Sequence, residues 1–259
     1  MNQPCLYFVP VPLSSVPLSI FRSKFHACKL RKARALNAIQ RGSVVQMQSR
    51  IISEDECSRD EDKIMIAQTR AWVKEMIVEL NLCPFARTPF QKDTVRYSIS
   101  NAQKEKELID DILQEACKLL DDDPEETATT LLLAPYWADA LEDWSELGYF
   151  LEEEIFDKED DPLLEGRVGI AFFHPNWTFN EMDNNDPIHF ERRAPIPTIS
   201  LLRKDDIGVY VQDALEKGII LSKKVQDDNE VTLRKYGYDK LERKMSQIKQ
   251  LQSKRATEH

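Results

Sequence analysis

The spacing of hydrophobic and polar residues predicts a chain of alternating helices and strands. Apolar residues recur every three to four positions from about Ile64 to Asn81, which is the period of one helix face. The same spacing continues in 102–121 and 138–155, where two more helices are predicted. Short runs of apolar and β-branched residues predict four strands: Val95–Ile99, Thr129–Ala134, Val168–Phe173 and Thr198–Leu202.

The order of these elements predicts an α/β fold. Strand–helix–strand alternation over the first three strands favours a largely parallel sheet. The segment 175–197 has no helical periodicity, so the fourth strand is predicted to return antiparallel to the third. We therefore expect a single domain with an about four-stranded, mostly parallel or mixed sheet, helices packed on it, and a disordered leader before it.

The end of the chain is predicted to be helical. A short helix after the fourth strand is expected to end at Gly218, which can adopt the left-handed conformation. A last long helix is predicted from about Asn229, because Leu241, Met245 and Ile248 recur at helical spacing. The predicted division is a leader at 1–53, an acidic linker at 54–62, an α/β domain at 63–225 and a C-terminal helix at 226–259.

The charge is distributed unevenly along the chain. Residues 1–53 contain eight basic residues and no acidic one, whereas the remainder has a formal net charge of −18. A basic, acid-free leader before an acidic body is typical of an organellar transit peptide, with a plastid preferred here to a mitochondrion. The alternatives are a basic disordered arm that binds nucleic acid and a cytoplasmic protein that keeps its leader.

Composition excludes several classes of protein. The formal net charge of −10 argues against duplex nucleic acid as the partner of the body, because phosphate contacts need clustered Lys and Arg. No segment has the ~20 consecutive apolar residues that a membrane span requires. The five Cys form no CxxC pair, which argues against a disulfide framework and a structural zinc site. No cofactor-binding motif is present, and the sequence does not define an oligomeric state.

Candidate chemistry concentrates after the third strand. His174 follows that strand directly, and Arg192 and Arg193 precede the fourth, so an antiparallel return brings all three to one edge of the sheet. The planar guanidinium of Arg suits carboxylate and phosphate recognition. Arg193 is therefore the candidate anion contact, helped by Arg192 or by Arg96 on the first strand if Arg96 faces inward. His174 is the candidate acid/base, or else a strand-end His that hydrogen-bonds to the backbone.

The leading hypothesis is therefore an organelle-targeted α/β protein with an anion-binding pocket. It could be an enzyme acting on a phosphorylated or carboxylated small molecule. One alternative is a metal-dependent hydrolase using His174, His189 and Asp186, although His189 is better interpreted as an exposed loop residue. Another is a non-catalytic interaction protein. Cys83 follows a helix end among apolar neighbours and is predicted to be a buried structural thiol.

Four segments carry a resemblance to a known family. They are TRAWVKEMIVELNLCPFAR at 69–87, the strand VRYSIS at 95–100, the strand end FFHP at 172–175, and RAPIPTISLLR at 193–203. Together they resemble the domain-of-unknown-function family 1415, found in bacteria and algae. The resemblance covers roughly 64–225 and implies a single domain, but no activity. Two positions depart from the family pattern: Ser200 stands in place of a His and Arg192 in place of an Asn, which disfavours a His-cluster site.

Overall fold

A computed structural model describes residues 55–152, 167–180 and 182–251. In it, four strands form one mixed sheet in the order β1-β2-β4-β3. β1 and β2 pair in parallel, and β4 runs antiparallel between β2 and β3. The predicted fold class and the predicted antiparallel return of the fourth strand beside the third are thus confirmed. The strands are β1 (Val95–Ile99), β2 (Thr129–Leu133), β3 (Val168–Phe173) and β4 (Thr198–Arg203).

Seven α-helices surround the sheet in the described part of the chain. They are α1 (Asp55–Trp72), α2 (Arg87–Lys92), α3 (Glu105–Asp121), α4 (Leu141–Leu151), α5 (Lys204–Glu216), α6 (Leu221–Tyr236) and α7 (Tyr238–Lys249). A π-helical segment, Val73–Val78, continues α1, and 3-10 turns occupy Pro135–Trp137 and Pro187–Glu191. None of these helices combines the length and the apolar character needed to cross a bilayer.

Helix boundaries differ from the sequence prediction at both ends of the chain. The segment predicted as an acidic linker is helical from Asp55 onward, and the leader at 1–53 lies outside the described residues. The predicted single terminal helix is two helices, because Gly237 between α6 and α7 has a φ of +82°, which interrupts the helical backbone. Residues 153–166, which include the predicted end of the third helix, lie outside the described part.

The two faces of the sheet are buried by different helices. Odd-numbered positions of β1, β2 and β3 point to the front face, where Leu131 and Leu133 pack under α1, its π-helical continuation and the terminal helices. Even-numbered positions of these strands point to the back face under α3 and α4. There Gly148 of α4 permits close approach, since a Cβ at this position would lie 2.9 Å from the ring of Phe172.

The connection between β3 and β4 is part of the core. It was expected to be a loop without secondary structure, but it contains the 3-10 turn Pro187–Glu191, which Asp186 caps by accepting a hydrogen bond from the amide of Ile188 at 3.0 Å. Ile188 and Phe190 are buried in the front-face core. This packing holds the following residues, including Arg192, at a defined position beside β3.

Candidate functional site

A cavity of about 520 Å³ lies on the front face of the sheet. All four strands contribute to its floor, with Ala171 of β3, Ser200 of β4 and Leu131 of β2 side by side because they are paired in register. Ala171 and Ser200 are small, so they leave the floor low where β3 pairs with β4. The remaining floor residues are Val95, Thr129, Phe173 and Leu202.

The walls come from segments that are distant in sequence. One wall is the turn after the π-helical segment, where Asn81 has a φ of +56° and Pro84 stops further helix. Its residues 83–86, followed by α2, bring mostly apolar side chains to the cavity. The facing wall is formed by Ile207 of α5 and by Val225 and Asn229 of α6. The cavity is therefore apolar over most of its surface and polar at a few points.

Arg192 is the cation of this cavity that has no polar partner among the described residues. Its backbone is fixed, because its carbonyl accepts a hydrogen bond from the amide of His174 at 3.0 Å. Its guanidinium carbon lies 5.8 Å from the centroid of the Phe173 ring, and the side chain is half-buried. The guanidinium makes no hydrogen bond or ion pair within the described residues. Its donors are therefore open to an anion in the cavity.

The other two cationic groups of the cavity are already engaged. Lys92 forms an ion pair with Glu125 at 3.1 Å. Arg203 is buried and donates hydrogen bonds to backbone carbonyls, including those of Thr127 at 3.3 Å and Asp122 at 2.8 Å. These contacts tie the end of β4 to the loop after α3. Arg203 is thus a structural residue in the cavity wall.

Asn229 is a buried amide that joins three elements at the cavity wall. Its Nδ2 donates to the carbonyl of Leu82 and to Oε1 of Glu191, both at 3.0 Å. The first bond holds the turn after the π-helical segment, and the second holds the residue before Arg192. Asn229 therefore positions the segment that carries the open guanidinium.

Cys83 lies in the cavity wall and is half-buried. Burial raises the pKa of its thiol, against the opposing effect of hydrogen bonds from the amides of Phe85 and Ala86. The thiol is consequently protonated at neutral pH and contributes no charge to the cavity.

His174 is fully buried and both of its ring nitrogens are bonded to the backbone. Nδ1 accepts the amide of Asn176 at 3.1 Å, so the neutral ring carries its proton on Nε2, which lies 3.1 Å from the carbonyl oxygen of Trp137. Burial lowers the pKa of His174. The ring does not line the cavity. This geometry favours the structural alternative for His174 over the acid/base role.

The three residues of the metal hypothesis are engaged separately. His189 was expected to be exposed, but it is fully buried: its Nδ1 accepts the amide of Phe179 at 3.1 Å and its Nε2 lies 2.8 Å from the carbonyl of Asp183. Asp186 caps the 3-10 turn and pairs with Arg234 at 3.0 Å. Among the described residues, no three His, Cys, Asp or Glu side chains are grouped so that they could hold a metal ion.

The other two candidate anion-binding arginines lie away from the cavity. Arg193 is buried, donates from Nε to the carbonyl of Trp177 at 2.9 Å, and lies over the ring of Phe190 at 4.9 Å. Arg96 points to the back face and pairs with Glu115 at 3.3 Å and with Asp122. Both are better explained as structural residues. Of the three predicted arginines, the structure brings only Arg192 to the cavity.

Two cavity residues were not anticipated from the sequence. Ser200 is a polar side chain in the apolar fourth strand, and period-two alternation assigns it to the same face as Leu202. Asn229 lies four residues before Leu233, and both side chains are buried. In each case the available signal was a polar residue among the apolar residues on the buried face of a strand or helix. Such a residue is either hydrogen-bonded within the core or part of a binding site.

Fold and cavity together define a mixed α/β domain with a cavity over one sheet face. The chain belongs to the family described as Protein of unknown function (DUF1415), whose model matches residues 64–243. The resemblance inferred from the sequence is thus confirmed, but the match continues past 225 and includes α6 and part of α7. Ser200 and Arg192 both line the cavity. No curated protein and no solved structure matches the chain.

Proposed function

We propose that this protein binds a small organic anion in the front-face cavity, with Arg192 as the anion contact. The observation that carries the proposal is an open, half-buried guanidinium at the wall of a cavity of about 520 Å³. Small-molecule sites are mostly apolar clefts of about 300–1,000 Å³ with a few placed polar groups. The cavity has that size and composition.

Arg192 supplies the strongest interaction available to such a ligand. Its backbone position is fixed by the hydrogen bond from His174, and Phe173 supports the guanidinium from one side. An anion can therefore be held by two parallel N–H donors with little loss of side-chain freedom. Hydrogen bonds to a charged group contribute about 1.5–3 kcal/mol, which corresponds to roughly 10- to 100-fold in affinity.

We expect Arg192→Met to weaken anion binding by about 10- to 100-fold, since Met keeps an apolar stem but removes every donor. The probe is anilinonaphthalene sulfonate, an apolar molecule with one negative charge, and binding is followed by fluorescence and calorimetry on the full chain. The matched control is Arg167→Met, because Arg167 is 45% exposed and lies outside the cavity. Equal weakening by both substitutions would indicate a general charge effect and contradict the proposal.

A second substitution tests whether the ligand occupies the cavity itself. Ala171 is a small floor residue on the edge strand β3, beside Ser200, so Ala171→Phe fills space that the ligand needs. We expect this variant to fold and to lose detectable binding of the sulfonate probe. Binding that survives in Ala171→Phe would place the probe elsewhere and remove the support for this site.

We also propose that the protein is imported into an organelle, with a plastid preferred to a mitochondrion. The support is the leader of 1–53, which has eight basic residues and no acidic one. Import would remove about the first 40–55 residues. N-terminal sequencing of the endogenous protein tests this expectation. An intact Met1 terminus in the cytosol would favour the cytoplasmic alternative.

A further inference from the structure

We infer that the ligand is an apolar monocarboxylate and not a phosphate ester. This inference rests on the proposed function, because it concerns the same cavity and the same contact at Arg192. It follows from the charges that line the cavity and from the side chains of its floor.

The first step is the charge balance of the cavity. Its described lining contains three cationic and three acidic side chains: Lys92, Arg192, Arg203, Glu125, Glu191 and Asp206. The pair with Glu125 occupies Lys92, and backbone carbonyls occupy Arg203. Arg192 is therefore the one cation of the described lining whose charged group has no polar partner. A single negative charge matches it.

A phosphate monoester carries a charge of about −1.5 to −2 at neutral pH. In this cavity the second charge would lack a partner, and burying an unpaired charge is costly. It would also lie in a cavity whose lining includes the carboxylates of Glu191 and Asp206, and like charges repel. A carboxylate has one charge and two oxygens spaced to accept both donors of a guanidinium.

The second step concerns the body of the ligand. Leu131, Ala171 and Leu202 on the floor and Ile207 and Val225 on the wall offer apolar contact. Four strands spaced about 4.8 Å apart make this floor about 14 Å wide. Ser200 places one hydroxyl at its middle, and this hydroxyl makes no hydrogen bond within the described residues. The floor therefore suits an aromatic or aliphatic body that carries at most one polar atom near its centre.

The test compares three ligands that share one body. Phenylbutyrate, phenylbutyramide and phenylbutyl phosphate each displace anilinonaphthalene sulfonate from the full chain at pH 7.5. We expect the carboxylate to bind at least about tenfold more tightly than the neutral amide and than the phosphate. At pH 5 the phosphate is mainly a monoanion, because its second pKa is near 6, so its disadvantage should shrink.

Variants of Arg192 test whether this residue causes the preference for a carboxylate. In Arg192→Met the ratio of carboxylate affinity to amide affinity should fall to about one. Arg192→Lys should keep part of this preference, since Lys retains the positive charge but not the two parallel N–H donors of the guanidinium. Ala171→Phe should abolish binding of all three ligands. A phosphate that binds as tightly as the carboxylate at pH 7.5 overturns the inference, even if Ala171→Phe still abolishes binding and the proposed function stands.

Two further outcomes separate the inference from the proposed function. If the sulfonate binds in a manner that depends on Arg192 and Ala171 but no member of the series displaces it, the inference is overturned and the proposed function stands. If neither the sulfonate nor any member of the series binds, the proposed function fails as well. If Ala171→Phe converts a dimer into a monomer in size-exclusion chromatography, a second copy of the chain covers the cavity. That result overturns both the inference and the proposed function.

Discussion

Trp144→Ala is expected to lower the free energy of unfolding by about 3–5 kcal/mol, the range for removing a large buried aromatic side chain. Trp144 is fully buried between α4 and the back face of the sheet. Its ring lies 5.3 Å from that of Phe172, 6.2 Å from Trp137 and 6.1 Å from His174. Its removal leaves a cavity that these neighbours cannot close without moving β3.

The size of this effect can be judged against the whole domain. Native domains are stable by about 5–15 kcal/mol, so the substitution should remove a large part of the total. Denaturant unfolding of the full chain followed by circular dichroism measures it. The matched control is Tyr149→Ala on the same helix, because Tyr149 is 48% exposed and should cost less than about 1 kcal/mol. Similar losses in both variants would contradict the assignment of Trp144 to the core.

Much of the sheet could be predicted because each strand has clear local limits. Val95–Ile99 lies between polar residues, and Val168–Phe173 ends before Pro175, so the predicted and observed bounds of both strands agree. The antiparallel return of β4 followed from the missing helical period in the connection. The break at Gly237 was missed, because the apolar residues on either side continue at nearly helical spacing.

The site was only partly predictable, because its walls come from segments that are distant in sequence. Sequence reasoning placed Arg193 first as the anion contact and Arg192 only as a helper, whereas Arg192 lines the cavity and Arg193, one residue away, points into a different environment. The direction of a side chain in an irregular turn depends on tertiary packing, and the hydrophobic periodicity of the sequence does not predict it. Ser200 and Asn229 lie in regular elements, where the period gives the face of each side chain but not that a strand and a distant helix meet at one cavity.

His174→Ala is expected to destabilise the fold by about 2–4 kcal/mol, because it leaves the amide of Asn176 and the carbonyl of Trp137 without partners. A purely catalytic His would cost little stability. His174→Gln is the matched variant, since its amide can restore one of the two bonds without titrating, and it should lose less. Ligand binding measured well below the melting temperature should be unchanged in both, because the ring does not line the cavity.

The pH dependence of stability gives His174 a second, independent test. Burial places the pKa of the folded residue below the ordinary value of 6.5, so the unfolded chain binds the proton more readily. The stabilisation from the neutral ring is therefore fully present above pH 6.5 and is lost as the pH falls from there toward the folded pKa. The wild type should lose stability relative to His174→Gln by up to about 1.4 kcal/mol per pH unit in that window. Denaturation curves for the two proteins between pH 7.5 and 5 measure the difference, and parallel pH profiles would show that His174 is not held neutral by the fold.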